Sequence, residues 1–199
     1  PNILVNATSL SVCEGNSVSI IASGANSYTW SPSSDLNTNI GNVVNATPLQ
    51  STQYKVVGVN SFNCVDSSYI TISVNPLPNL NIIGSNTICE GDTASLIVNG
   101  ASSYIWSPAN GLNTTNGSLV LATPSISQSY IVTGTDANSC VSSASHSITV
   151  LSNPSIFISA NNDTICKGDI SLLTASGATS YTWQSHPSLS INTGSSTSV

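Results

Sequence analysis

The strongest constraint on this chain is an internal repeat of about 76 residues. Residues 13–74 and 89–150 align without gaps and are identical at 29 of 62 positions. The cysteines and tryptophans recur with this period: Cys13, Cys89 and Cys166; Cys64 and Cys140; Trp30, Trp106 and Trp183. Self-similarity at a fixed period is typical of a tandem array. We therefore predict repeats over 1–75 and 76–152 and an incomplete repeat over 153–199, as a fragment of a longer array.

Short strands are predicted throughout each repeat. Val18, Ile20 and Ala22 alternate with polar neighbours, and Ile70, Ile72 and Val74 do the same near the end of the first repeat. Period-two alternation indicates half-buried strands, and the Gly, Pro, Asn and Ser clusters between these segments indicate turns. Six or seven short strands in fewer than 80 residues are typical of an antiparallel β-sandwich. The predicted fold class is all-β, with each repeat an antiparallel β-sandwich.

The composition excludes several kinds of partner. Only 5% of the residues are charged, two are Lys and none is Arg, whereas Ser, Thr and Asn make up 83 of 199. A chain without a basic patch is not expected to bind nucleic acid or an anionic membrane surface. No apolar run approaches the ~18 residues of a membrane-spanning helix. Proline in the predicted linkers, at Pro76, Pro78 and Pro154, favours stiff joints.

Two cysteines per complete repeat, 51 residues apart, predict one disulfide per repeat. The expected pairs are Cys13–Cys64 and Cys89–Cys140, with Cys166 unpaired. A metal site is the alternative, but it lacks a repeated His or Cys-x-x-Cys partner. Oxidised cysteines imply a location outside the cytoplasm.

The recurring aromatic residues are predicted to fill the cores of the sandwiches. They are Trp30, Trp106, Trp183, Tyr54 and Tyr130. The two tyrosines open a strand after a Thr-Pro turn, where a hydroxyl-to-backbone bond would cap the sandwich as a tyrosine corner does. A sugar-stacking platform is the alternative role for these aromatics, but their places on alternating strands favour core packing.

No catalytic or cofactor-binding pattern is found in the sequence. His146 and His186 do not recur between repeats, and neither a Gly-x-Ser-x-Gly elbow nor a Gly-rich phosphate loop occurs. The acid of the Cys-Glu-Gly turn, Glu14 in the first copy, becomes Lys167 in the third, which argues against a cation required by every repeat. We predict no enzyme activity, no cofactor and no metal within repeats, while calcium between repeats stays open. Thr93 and Thr164 lie in Asp-Thr-apolar triplets, the form of an O-glycan acceptor.

The motifs of the repeat resemble a known class of proteins. Each complete copy contains Cys-Glu-Gly, Ser-Tyr-x-Trp-Ser-Pro, Ala-Thr-Pro followed by Tyr-x-Val-x-Gly, and a late cysteine. This succession resembles the immunoglobulin-like, PKD-like repeats of very large surface proteins of gliding bacteria, which are typically exported by type IX secretion. The resemblance implies that the predicted all-β sandwiches are tandem immunoglobulin-like (PKD-like) repeats. The resemblance covers essentially the whole chain.

The resemblance implies a non-catalytic structural stalk of an extracellular adhesin or surface filament, linked to attachment and gliding. Its implied partners are the outer-membrane anchoring or motility machinery, a surface polysaccharide or substratum, and neighbouring repeats of the same chain. Two alternatives stay open. One is a glycan-binding module using exposed aromatics such as Phe62 or Tyr69, and the other is a set of spacer repeats in a large secreted enzyme.

Overall fold

Strands account for all the regular secondary structure of the computed structural model, which describes residues 1–199. No helix capable of crossing a membrane is present. The first repeat contains β1 (Leu4–Ala7), β2 (Ser11–Cys13), β3 (Val18–Ser23), β4 (Ser27–Ser31), β5 (Val43–Ala46), β6 (Thr52–Val59) and β7 (Val65–Asn75). The second contains β8 (Asn81–Ile83), β9 (Thr87–Cys89), β10 (Ala94–Asn99), β11 (Ser103–Ser107), β12 (Leu119–Ala122), β13 (Gln128–Thr135) and β14 (Val141–Leu151). Residues 153–199 contain β15 (Phe157–Ala160), β16 (Leu172–Ser176) and β17 (Ser196–Ser198).

Each complete repeat is a sandwich of a three-stranded and a four-stranded sheet. The first repeat orders its sheets β1-β3-β5 and β2-β7-β6-β4, and the second has the equivalent orders β8-β10-β12 and β9-β14-β13-β11. Most neighbouring strands are antiparallel, but β2 runs parallel to β7, with Cys13 opposite Asn75. The predicted fold class, tandem immunoglobulin-like β-sandwiches, is confirmed.

The cores follow from the strand alternation. In β3 and β10 every second side chain is buried, and β4 and β11 bury their Tyr and Trp while exposing the residues between them. Trp30 and Trp106 are each only 1% exposed and fill the space between the sheets. Their indole N–H groups donate to the backbone oxygens of Gly41 and Gly117 at 2.8 and 3.0 Å, so burial leaves neither donor unpaired.

The chain divides into two compact units, Pro1–Thr149 and Val150–Val199. Strand pairing stays within residues 4–75, 81–151 and 157–198. The second unit has one three-stranded sheet, β15-β16-β17, and lacks a four-stranded sheet to face it. Trp183 is consequently only half-buried, although its indole donates to Gly194 O at 2.9 Å. The prediction of a core position holds for Trp30 and Trp106 but is wrong for Trp183.

The last strand of each repeat is longer than the sequence pattern predicted. Alternation indicated a strand only near residues 70–74, whereas β7 begins at Val65 and runs for 11 residues. The three-residue strand β2, which ends at Cys13, was not predicted. Both differences matter for the cysteines, because β7 separates Cys64 from Asn75, and β2 places Cys13 beside Asn75.

Candidate functional site

Cys13 lies in a tight turn at the far end of the first sandwich. The turn closes by a hydrogen bond from Asn16 N to Cys13 O at 2.9 Å, and Gly15 takes a φ of +76° that favours glycine. Glu14 N then donates to Asn75 O at 2.9 Å, which ties the turn to the end of β7. Cys13 is therefore held where the chain leaves the first repeat.

Cys140 lies in the hairpin between β13 and β14, where the chain enters the second repeat. The Asp136 carboxylate accepts hydrogen bonds from Asn138 N and Cys140 N, both at 2.8 Å. Asp136 N donates to Cys140 O at 3.0 Å, and Ser139 has a positive φ of 64°. An aspartate that bonds its own following backbone is ordinary turn chemistry, and here it fixes the direction of the cysteine.

A disulfide joins Cys13 to Cys140 across the two repeats, with their Cα atoms 5.5 Å apart and 127 positions apart in sequence. The predicted pairs Cys13–Cys64 and Cys89–Cys140 are wrong, and Cys64 and Cys89 have free, exposed thiols. The physical reason is the length of β7. Cys64 precedes its first residue while Cys13 pairs with its last, Asn75. Ten steps of extended strand span roughly 33 Å, far beyond the Cα separation of any disulfide.

Polar contacts surround the bridge. The residues around it are Ser11–Ser17, Asn75 and Asn138–Cys140, and we refer to this set as the joint. All of them except Glu14, Gly15 and Cys140 line a groove of about 430 Å³ beside the disulfide. Asn75 is central, because its side-chain amide donates to Ser11 Oγ at 2.9 Å and its backbone oxygen lies 4.0 Å from Cys140 Sγ. Cys140 itself is fully buried.

The linker is fixed to the second repeat as well. Pro78 is buried, and its backbone oxygen accepts a hydrogen bond from Ser142 Oγ, two residues after Cys140. Gly100 packs so closely against Asn79 O that a Cβ placed there would lie 1.9 Å from it. The first two repeats are thus connected by a polypeptide linker and by a covalent bridge.

The two core tyrosines have different partners. Tyr130 donates its hydroxyl to Asn110 O at 2.8 Å, which is the predicted hydroxyl-to-backbone cap. Tyr54 instead donates to the Asp35 carboxylate. Burial, followed by the hydrogen bond and the negative charge of Asp35, raises the pKa of Tyr54 well above its ordinary value. Burial alone raises the pKa of Tyr130.

The remaining predicted residues do not gather into a common site. Cys166 has a free, exposed thiol, and Thr93 and Thr164 are exposed, so their glycosylation stays a prediction. His146 lies on β14 beside Ser85 O, and His186 contacts its own loop. Phe62 is 84% exposed at the β6–β7 hairpin, and Tyr69 is 56% exposed beneath the Lys55 ammonium.

The joint is the structural feature of the candidate site that reasoning from sequence missed. Two features of the sequence are compatible with a bridge between repeats: the short proline-bearing linker and the recurrence of the cysteines at equal spacing. However, a period of 76 residues is the same whether a cysteine pairs within its own repeat or with the next one. Connectivity cannot be derived from spacing alone.

No protein-family model matches the chain, and no curated protein matches it in sequence. Among solved structures, a marsupial T cell receptor is 14% identical, with a TM-score of 0.41, and the match covers 98% of this chain and 91% of the receptor chain. Murine CEACAM1b is 12% identical with a TM-score of 0.33, covering 75% and 100% of the two chains. A Ca²⁺-stabilized adhesin of an Antarctic bacterium that binds ice is 11% identical with a TM-score of 0.34, covering 89% and 57%. Likeness at these identities concerns the fold alone, and the strands define the class: an all-β chain of tandem immunoglobulin-like repeats.

Proposed function

We propose that this chain is a non-catalytic structural stalk within a large extracellular adhesin or surface filament. The observation that supports the proposal most directly is the joint. A disulfide between Cys13 and Cys140 adds a second covalent connection between two sandwiches that already share a proline-bearing linker. Such a device resists separation of neighbouring domains, as a stalk under tension requires.

The surface of the repeats suits the same role. Because 5% of the residues are charged, water meets mainly hydroxyl and amide groups, and this coat limits ionic association. Lys55 and Lys167 are the only Lys or Arg residues, so proteases that cut after lysine or arginine find two sites. Both properties favour persistence outside the cell.

The disulfide supports an extracellular location, because such bonds persist in oxidising compartments. The resemblance in repeat motifs extends the proposal to a bacterial surface protein exported by type IX secretion and linked to gliding. Its partners in that role are the anchoring or motility machinery and a substratum or surface polysaccharide.

The test is fluorescent antibody labelling of intact, living source cells, with antibody raised against residues 1–152. We expect label that is held on the cell surface, and label that travels along it for a gliding adhesin. Permeabilised cells provide the control for internal protein. Label found only in the culture fluid would contradict an anchored stalk and favour spacer repeats in a secreted enzyme.

A further inference from the structure

We propose that Cys64 is one half of a second joint. It forms a disulfide with the Cys-x-Gly turn cysteine of a repeat of the same kind that precedes Pro1 in the same chain. The inference rests on the proposed function, because it requires these repeats to belong to a longer array. It deepens that function by naming a partner and a covalent attachment site.

The hairpin that carries Cys64 has the same construction as the one that carries Cys140. The Asn60 side chain accepts from Phe62 N and Cys64 N at 3.0 Å, as Asp136 accepts from Asn138 N and Cys140 N. Asn60 N donates to Cys64 O at 3.1 Å, and Asn63 has a positive φ of 58°. The first repeat therefore presents Cys64 in the backbone geometry that the bridged cysteine uses.

Cys64 also lies at the correct end of its sandwich. Ile3 N donates to the Asp66 carboxylate at 3.3 Å, so the start of the chain lies beside the hairpin. In the second repeat the linker contacts the equivalent position, where Ser142 donates to Pro78 O. A repeat joined to Pro1 would therefore lie beside Cys64, as the first repeat lies beside Cys140.

The exposure of this hairpin is consistent with a missing neighbour. Cys64 is exposed, whereas Cys140 is fully buried. Phe62 is 84% exposed, and its counterpart Asn138, although also exposed, lines the groove at the joint. Aromatic side chains are enriched in the cores of protein interfaces, so Phe62 suits contact with a preceding repeat. The turn cysteine of a preceding repeat completes the arrangement.

The reaction is an ordinary thiol–disulfide exchange with a small-molecule disulfide as the oxidant. The Cys64 thiolate attacks that disulfide, forms a mixed disulfide and releases one small thiol. The thiolate of the turn cysteine then attacks the Cys64 sulfur and displaces the second small thiol. Two protein thiols lose two electrons and two protons, and the small disulfide is reduced to two thiols.

The experiment extends the full chain with a copy of residues 77–152 placed directly before Pro1. This copy is a complete repeat and supplies a turn cysteine from its own Cys89. The protein is oxidised with oxidised glutathione, its remaining thiols are alkylated, and it is digested under denaturing, non-reducing conditions by a protease that cleaves before aspartate. Cleavage there places the five cysteines of the original chain in five different fragments, four of which are 35–65, 66–91, 136–162 and 163–168. Cys13 lies in the fifth, which joins the copy of residues 136–152 to residues 1–34 and therefore also contains the copy's hairpin cysteine, so the alkylated position within this fragment identifies the bridged one.

We expect the N-terminal fragment of the extended chain to be linked to fragment 35–65, in a ratio that does not depend on protein concentration. The Cys13–Cys140 link should be present in the same digest, which shows that the original unit has folded. The matched control is Cys64→Ser in the extended chain, whose N-terminal fragment should remain alkylated. Linkage of the N-terminal fragment to the fragment that contains the copy's hairpin cysteine, or an alkylated Cys64 beside an intact Cys13–Cys140 bridge, would overturn the inference.

A second measurement does not depend on the mapping. In the extended chain, Cys64 should no longer react with a maleimide under native conditions, whereas in the unextended chain it should react readily because it is exposed. Equal reactivity in the two chains would contradict the joint. The outcome is independent of the location of the parent protein, so absence of surface label would overturn the proposed function and leave this result intact.

Discussion

The β6–β7 and β13–β14 hairpins are nearly identical in construction, but their cysteines differ in oxidation state. Both are closed by an Asn or Asp side chain that accepts two backbone N–H groups, and both place a cysteine before the last strand. Cys64 nevertheless has a free thiol, whereas Cys140 is bridged and buried. The difference lies in the neighbour: Cys140 faces the turn of the preceding repeat. The local fold orients the cysteine, and the adjoining repeat decides its state.

The largest expected difference between the two cysteines is mechanical. When the chain is pulled from its ends, the force passes through the Cys13–Cys140 bridge. The chain between the two cysteines, which are 127 positions apart, therefore cannot be extended. At about 3.4 Å per extended residue, reduction should lengthen the fully unfolded chain by roughly 430 Å. Single-molecule pulling with and without reductant measures this length.

The matched pair of variants for this measurement is Cys140→Ser and Cys64→Ser. Cys140→Ser should be as long without reductant as the reduced parent, and Cys64→Ser should behave as the oxidised parent does. An oxidised parent chain that extends to the same length as the reduced one would show that the bridge is absent.

The second difference is thermodynamic. A bridge that closes a loop over a sequence separation of 127 stabilises the folded state by about 5 kcal/mol on the chain-entropy model. The double variant Cys13→Ser with Cys140→Ser should lose most of this free energy of unfolding. The matched variant Cys64→Ser with Cys89→Ser should change by less than about 0.5 kcal/mol, because both thiols are exposed and unbridged.

Urea unfolding followed by tryptophan fluorescence checks both double variants. The parent chain with dithiothreitol is the control, and it should match the Cys13/Cys140 variant. Equal losses in the two variants would mean that disulfides form within the repeats after all.

This comparison also shows where prediction from sequence succeeds. The alternation of residues 18–22 and the recurrence of Trp30 and Trp106 were sufficient for the strands and the cores, because burial of one strand face is a local property of the sequence. Trp183 has the same local motif but is only half-buried, because its burial needs a second sheet that residues 153–199 do not supply. Burial is set by the tertiary environment, which the motif does not specify.

The pairing of the cysteines is a different kind of problem. It depends on β2, which is three residues long, and on the 11-residue length of β7. The first half of β7 contains no buried side chain, and its mixture of polar and apolar residues resembles the composition of a loop. It therefore could not be recognised as a strand from the sequence. Because both lengths were missed, the two cysteines of one repeat were not recognised as lying at opposite ends of a strand.

The smallest expected difference concerns the two core tyrosines. Tyr54→Phe removes a donor to the half-exposed Asp35 carboxylate, and Tyr130→Phe removes a donor to Asn110 O. Each change should cost about 1 kcal/mol at neutral pH, since water can reach the abandoned acceptors only in part. The variants should therefore be hard to distinguish by urea unfolding at pH 7.

Alkaline pH should separate them. In the unfolded chain a tyrosine loses its proton near pH 10, whereas the raised pKa of Tyr54 keeps the proton on the folded chain. The unfolded state then binds fewer protons than the folded state, so the contribution of Tyr54 is complete below pH 10 and is lost as the pH rises above it. Tyr54→Phe should make the decline in unfolding free energy between pH 9.5 and about 11 shallower.

Tyr130→Phe should have a weaker effect, because no neighbouring carboxylate adds to the burial that raises the pKa of Tyr130. The free thiols are alkylated beforehand, which prevents disulfide exchange at high pH. Equal slopes in the parent and in Tyr54→Phe would show that neither burial nor Asp35 keeps the proton on Tyr54 in the folded chain.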